Sequence, residues 1–178
     1  MILIKMDNIK VYDNFLSYDE LETCKEIIKN NKWEYGHVSN GDTKVNTSFW
    51  IMDLKGNNFF NIHLKEKIEN IIGKKLKVAR VYANGQTFGL DGGFHQDSIE
   101  NNATTFCLYI TPIPNDIIGE LGGNILFKIP DIEHFSLALE PRYNRGVYFP
   151  SNFFHKGTAF NRYVQNMRIC IAWKFTII

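Results

Sequence analysis

Arg80-Val81-Tyr82-Ala83-Asn84-Gly85-Gln86-Thr87-Phe88-Gly89 is the stretch on which the reading of the fold turns. Apolar and aromatic residues of strand character are interrupted by Asn-Gly, a turn signal, which predicts one strand over 76–83 and a second over 86–95. The same texture continues to the end of the sequence. Further strand-like runs fall near 104–111, 124–129, 135–140, 146–149, 154–158 and 167–175, bounded by Gly, Pro or Asn and free of a helical period. About eight short strands in roughly a hundred residues predict a double-sheet jelly roll or small barrel.

Upstream of Gly73 the pattern differs. Ser17-Tyr18-Asp19-Glu20 reads as a capping box, and Leu21, Cys24, Ile27 and Ile28 follow at helical steps, predicting a helix over 17–30. Phe60, Leu64, Ile68, Ile71 and Ile72 mark a second helix over 58–72, with Gly73 at its C-cap. There is no internal repeat, low-complexity tract or flexible linker. The expected architecture is a mainly β (α+β) fold forming one domain over 1–178, with 1–75 as a helical support and 76–178 as the jelly-roll core.

Composition excludes several function classes. Twenty Lys+Arg against nineteen Asp+Glu leave a net charge of +1, without the positive excess of a phosphate-tracking nucleic-acid binder. Cys24, Cys107 and Cys170 are odd in number, far apart and flanked by apolar residues, which argues against a disulfide framework and against a Cys zinc site. The N-terminal apolar run breaks at Lys5, and no window approaches a membrane span, so a cytoplasmic protein with no membrane partner is expected. Fourteen Phe and eight Tyr favour strands.

Of five histidines, His95 alone has an acid two positions on, in Phe94-His95-Gln96-Asp97. In an extended chain that spacing points both side chains to one side. An H-x-D arises by chance in about one such sequence in four, so the pair needs a partner. His155, in Pro150-Ser-Asn-Phe-Phe-His155-Lys-Gly157, supplies a second imidazole at the end of another strand-like run. Two imidazoles and a carboxylate are the facial donor set of non-heme Fe(II) oxygenases, and some zinc hydrolases use the same set. His63, within the second helix, reads as a partly buried structural residue; His37 and His134 read as loop residues.

A cation and several polar groups accompany the triad. Arg168 opens Ile169-Cys-Ile-Ala-Trp173 and could hold a ligand carboxylate in a bidentate pair, with Lys156 and Arg162 as competitors. Tyr82 and Asn84 share one face of their strand, and Tyr109 offers a hydroxyl from the strand after the triad pair. Gly122-Gly123 enters a strand where paired glycines permit close backbone approach.

The order of these pieces, from Tyr82-x-Asn-Gly-Gln through His95-x-Asp97, Tyr109, Gly122-Gly123, Gly146-Val-Tyr-Phe-Pro and His155 to Arg168, resembles the Fe(II)/2-oxoglutarate-dependent dioxygenases and, within them, the small prolyl 4-hydroxylase-like branch. The resemblance spans about 82–173. It implies a double-stranded β-helix with Fe(II) held by His95, Asp97 and His155, 2-oxoglutarate chelating the iron, its far carboxylate on Arg168 with Tyr109 helping, and Tyr82 beside the cosubstrate or target. It implies O2 as the second cosubstrate and leaves room for ascorbate. An aspartate at position 97, rather than a small residue, looks like a hydroxylase and not a halogenating relative.

The reaction implied is hydroxylation of a C–H bond coupled to decarboxylation of 2-oxoglutarate to succinate and CO2. The target would be a peptide, with prolyl as one option, or a small molecule. The alternatives are an oxygenase of nucleobases or small metabolites, and a non-enzymatic cupin-like metal-binding module. Two positions depart from the family pattern: Cys170 stands where many relatives have Ser or Thr, and the thirteen-residue step from His155 to Arg168 is long. Loops 36–48 and 112–121 are the expected lid.

Overall fold

The computed structural model describes residues 8–39, 47–114, 116–129 and 135–178. Within them the larger sheet comprises β1 (Lys10–Tyr12), β2 (Glu34–His37), β3 (Phe49–Asp53), β4 (Leu76–Gln86), β5 (Ala103–Tyr109), β8 (Arg145–Pro150) and β10 (Arg168–Ile177), in the order β1-β8-β5-β10-β4-β3-β2. The smaller sheet comprises β6 (Ile125–Lys128), β7 (Ser136–Leu139) and β9 (His155–Gly157), in the order β7-β6-β9. The described pairings are antiparallel. The two facing sheets make a jelly roll, the class expected from the alternating strands.

The period-2 alternation of β10 explains how the layers pack. Ile169, Ile171, Trp173 and Phe175 face the helices, whereas Arg168, Cys170, Ala172 and Lys174 face the space between the sheets. On the helical side, α1 (Tyr18–Asn30) buries Leu21, Cys24 and Ile28, and α2 (Leu64–Ile72) buries Leu64, Ile68 and Ile72. Each fully buried Leu or Ile contributes about 1.5–3 kcal/mol, while exposed ion pairs contribute at most about 1 kcal/mol. Apolar burial therefore holds the helices to the sheet. Trp173 adds direction, its Nε1 donating to Phe60 O at 3.0 Å.

Ser17 caps α1 as the sequence predicts: Glu20 N donates to Ser17 Oγ at 3.3 Å and Ser17 N donates to Glu20 Oε2 at 2.7 Å. Glu20 also joins the two helices through His63 Nε2 at 2.9 Å and Lys67 Nζ. Burial alone would raise its carboxyl, but the bonds from Lys67, Ser17 and His63 outweigh burial and bring it down to about 2. The unfolded chain then binds more protons between the ordinary carboxylate range and that value, so this contribution is complete above about pH 4.5 and is lost as the pH falls toward 2. Glu20→Gln is expected to remove on the order of 2 kcal/mol near neutral pH and to flatten the acid limb of stability. Denaturant unfolding of both proteins across that pH range checks this.

Three expectations are corrected. The strand–turn–strand reading of 76–95 gives way to one strand, β4, running through Asn84-Gly85 to Gln86. Gly85 pairs with Ile169 on one side and Trp50 on the other, and an added Cβ would collide with the Met167 side chain. Close packing, not a turn, calls for glycine there. The segment before α2 begins as a π-helical turn, Phe59–His63, so regular α-helix covers only 64–72 of the predicted 58–72. The 1–75 region is not purely helical, because β1, β2 and β3 extend the larger sheet at both ends. No helix among the described residues is long and apolar enough to cross a membrane.

Candidate functional site

His95 and His155 meet through their backbones. Each donates its N–H to the other's carbonyl, at 3.0 and 2.9 Å, in an antiparallel bridge beside β9 that brings the rings to a centroid distance of 4.5 Å. Both imidazoles are then oriented in the same way. His95 Nδ1 lies 2.9 Å from Gly93 O, and His155 Nδ1 lies 2.8 Å from Phe153 O, which assigns the proton to Nδ1 and turns each Nε2 lone pair inward. The His95 Nε2 is 3.4 Å from Asp97 Oδ1 and the His155 Nε2 is 3.4 Å from Asp97 Oδ2. One donor atom from each of the three residues lies within 4.8 Å of the others.

The charge states suit a cation. Burial pushes His155 down to about 4, so its imidazole is neutral near pH 7 with its lone pair free. Burial would raise Asp97, but the Lys174 ammonium beside it outweighs burial and holds the carboxyl well below the usual range. The Asp97 side chain is 6% exposed. Its Oδ2 accepts from Thr105 Oγ1 at 2.6 Å and from the Lys174 ammonium.

The triad opens into a cavity of about 440 Å³. At its far end is Arg168, 3% exposed, donating through Nε to Gly123 O at 2.6 Å and through Nη1 to Gln86 Oε1 at 2.7 Å. Gly123 has φ +74°, and a Cβ there would strike the Phe160 ring, so the close approach expected of the paired glycines is how this carbonyl reaches the guanidinium. Gln86 Nε2 is fixed in turn by Leu90 O at 2.8 Å. Two of the five guanidinium N–H groups are thus committed, and Arg168 Cζ lies 5.0 Å over the Tyr109 ring.

Two buried polar atoms in the cavity wall have no partner among the described residues, the Tyr109 hydroxyl and Asn84 Oδ1. Burial keeps the Tyr109 hydroxyl protonated, well above its ordinary value, so it is a donor without an acceptor. Unpaired buried polar atoms cost about 1–3 kcal/mol each, and a bound ligand would recover that cost. A cavity with a metal donor set at one end and a cation plus an orphan hydroxyl at the other suits a small ligand that chelates a metal at one end and carries a carboxylate at the other.

The chain has the fold of the 2OG-Fe(II) oxygenases. An oxidoreductase of the 2OG-Fe(II) oxygenase family from Burkholderia pseudomallei superimposes with a TM-score of 0.74 at 9% identity, covering 96% of this chain and 86% of its own. A prolyl hydroxylase from Trichoplax adhaerens, in complex with a hypoxia inducible factor oxygen degradation domain peptide, does so at 0.71 and 14%, covering 96% and 84%. The non-heme α-ketoglutarate-dependent epimerase SnoN from nogalamycin biosynthesis does so at 0.67 and 10%, covering 95% and 77%. No protein-family model and no curated protein sequence matches the chain. A hydroxylase and an epimerase share this 2OG-Fe(II) oxygenase fold, so substrate and outcome are set by side chains around the cavity.

Against that fold, the six residues singled out from sequence, His95, Asp97, His155, Arg168, Tyr82 and Tyr109, all line this cavity. The competitors of Arg168 stand elsewhere: Arg162 is exposed beside Tyr163, and Lys156 lies 5.1 Å over the Phe94 ring. His37 is corrected from loop to strand; it ends β2, lines the cavity and sits 6.0 Å from the Tyr82 ring. His63 is structural through Glu20, yet its side chain is 57% exposed. His134, and residues 40–46 of the expected lid, lie outside the described residues. Sequence reasoning gave no role to Thr105 or Lys174, and none to Gln86 beyond its place in the Tyr82-x-Asn-Gly-Gln pattern. Each was legible as a same-face neighbour, two residues before Cys107, two after Asn84 and six after Arg168.

Proposed function

We propose that the protein is an Fe(II)- and 2-oxoglutarate-dependent dioxygenase that hydroxylates a substrate C–H bond, with a prolyl residue of a peptide as the target. The observation that carries this reading is the pair of imidazoles whose Nδ1 atoms are held by backbone carbonyls while both Nε2 atoms converge on Asp97.

His95, Asp97 and His155 would hold the iron. When bound, Fe(II) supplies oxygen activation and the oxidative decarboxylation of 2-oxoglutarate to succinate and CO2. The Arg168 guanidinium would bind the far carboxylate and Tyr109 would donate its unpaired hydroxyl to the same group. The Phe127 and Phe149 rings, at 6.0 and 4.7 Å from the His155 ring, keep that side of the centre dry.

Two features support a peptide over a compact substrate. One structural neighbour is a prolyl hydroxylase in complex with a peptide. A second cavity of about 690 Å³ shares His37, Arg80 and Tyr82 with the first and continues across β3 toward Asn31 and Lys55, a path suited to an extended chain.

Incubation with Fe(II), 2-oxoglutarate, O2 and a library of proline-containing peptides should yield a peptide that gains one oxygen atom with matching succinate. Succinate formation that no peptide stimulates would shift the target to small molecules; no succinate at all would refute the enzyme.

Tyr109→Phe should weaken 2-oxoglutarate binding about 5- to 10-fold, the worth of one hydrogen bond. Its melting temperature should stay level or rise, since the hydroxyl lost has no partner among the described residues. Competition binding and thermal melts measure the two effects separately.

A further inference from the structure

Lys174 is no member of the donor set, yet its ammonium sits on one. It lies on the cavity face of β10, in register with Arg80 of β4 and Thr105 of β5, with its side chain 18% exposed. The groups around it are Asp97, the Tyr82 ring at 5.8 Å, Thr105, Cys107, His155 and, across the strand pair, Arg80. Arg80 does not share its work, because that guanidinium stacks 4.3 Å over Tyr82. Among the described residues, Lys174 is the only Lys or Arg paired with Asp97.

The two oxygens of Asp97 are unlike. Each oxygen faces one imidazole at 3.4 Å, Oδ1 that of His95 and Oδ2 that of His155, but Oδ2 alone also takes the Thr105 hydroxyl and the Lys174 ammonium. A buried carboxylate would be an uncompensated charge unless a cation stood beside it. Lys174 is that cation, and a divalent ion arriving at the triad must bind next to a positive charge already in place.

We propose that Lys174 is a positioning residue and built-in counter-ion of the metal centre: it neutralises Asp97 when no metal is bound, leaves Oδ1 as the ligand oxygen, and by like-charge repulsion loosens the site's hold on divalent cations. The proposal rests on the metal-centre reading above. It makes metal occupancy a compromise, in which the fold survives without the ion and the ion exchanges more readily than in the same triad without a lysine.

Mn(II), titrated by the electron paramagnetic resonance of the free ion, is a suitable probe, alongside melting of the metal-free protein. Lys174→Met and Lys174→Gln should bind Mn(II) at least about tenfold tighter, a lower bound for removing a unit charge beside the ion at a protein-like dielectric. Both should melt a few degrees lower without metal and gain more from saturating Mn(II) than the wild type. Lys174→Arg should stay near wild type in both respects.

Unchanged or weaker Mn(II) binding in the Met and Gln variants would overturn the proposal and leave Lys174 a merely orienting group. The Gln variant, which keeps a hydrogen-bond donor, serves if the Met variant does not fold. Wild-type affinity no higher than that of His155→Ala would instead overturn the metal-centre reading, and the counter-ion with it.

Discussion

His155→Ala is expected to weaken divalent-metal binding at least about 100-fold, at or beyond the upper end of what outer-shell changes cost, and to abolish succinate formation. The imidazole is 5% exposed, backed by Phe127 and Phe149, and locked by Phe153 O, so its Nε2 has one orientation available. No other group of three or more His, Cys, Asp or Glu residues among the described residues is placed to bind a metal, so no neighbour substitutes for the lost ligand. The fold should survive, because the bridge between residues 95 and 155 is made by backbone atoms that alanine retains. A cavity the size of an imidazole should cost about 1–3 kcal/mol. Mn(II) titration and succinate detection on a variant shown to be folded check the result; retained affinity would remove His155 from the site.

Arg168→Ala should cost about 2–5 kcal/mol in 2-oxoglutarate binding, between about 30-fold and several thousand-fold. The guanidinium is buried and already oriented by Gly123 O and Gln86, so little ordering remains to be done when a carboxylate arrives. Lysine cannot hold the carbonyl, the glutamine and a ligand carboxylate at once, so Arg168→Lys should fall between wild type and alanine. Arg162→Ala, on the exposed side, should change neither affinity nor melting. The alanine variant also leaves Gly123 O and Gln86 short of a donor, so affinities should be compared well below its melting temperature. Selective loss in Arg162→Ala would reverse the assignment.

How much of this was legible depended on whether a residue's reason lay in its own element or across the fold. Alternation in β10 and the two-residue step from His95 to Asp97 are local signals, and Arg168, Asp97 and His95 all line the cavity. The capping box at Ser17 is local too, and it fixed the start of α1. Gly85 misled because its requirement comes from Met167, more than eighty residues away, and nothing nearby distinguishes a packed glycine from a turn glycine. The short strands β2 and β3 were missed because they gain their pairing only by adding to β4, and Glu34–His37 shows no alternation of its own. His37 entered the cavity wall with them. Lys174 was within reach, since the stride that puts Arg168 inside also puts residues 170, 172 and 174 inside. A lysine at such a position signals a buried partner, here Asp97.

The most direct test of the oxygenase reading is anaerobic addition of 2-oxoglutarate to the Fe(II)-loaded protein, followed in the visible spectrum. A weak metal-to-ligand charge-transfer band should appear that saturates with 2-oxoglutarate, fails to form in His155→Ala, and decays on admission of oxygen with formation of succinate. No band in the wild type, together with Fe(II) affinity equal to that of His155→Ala, would contradict that reading.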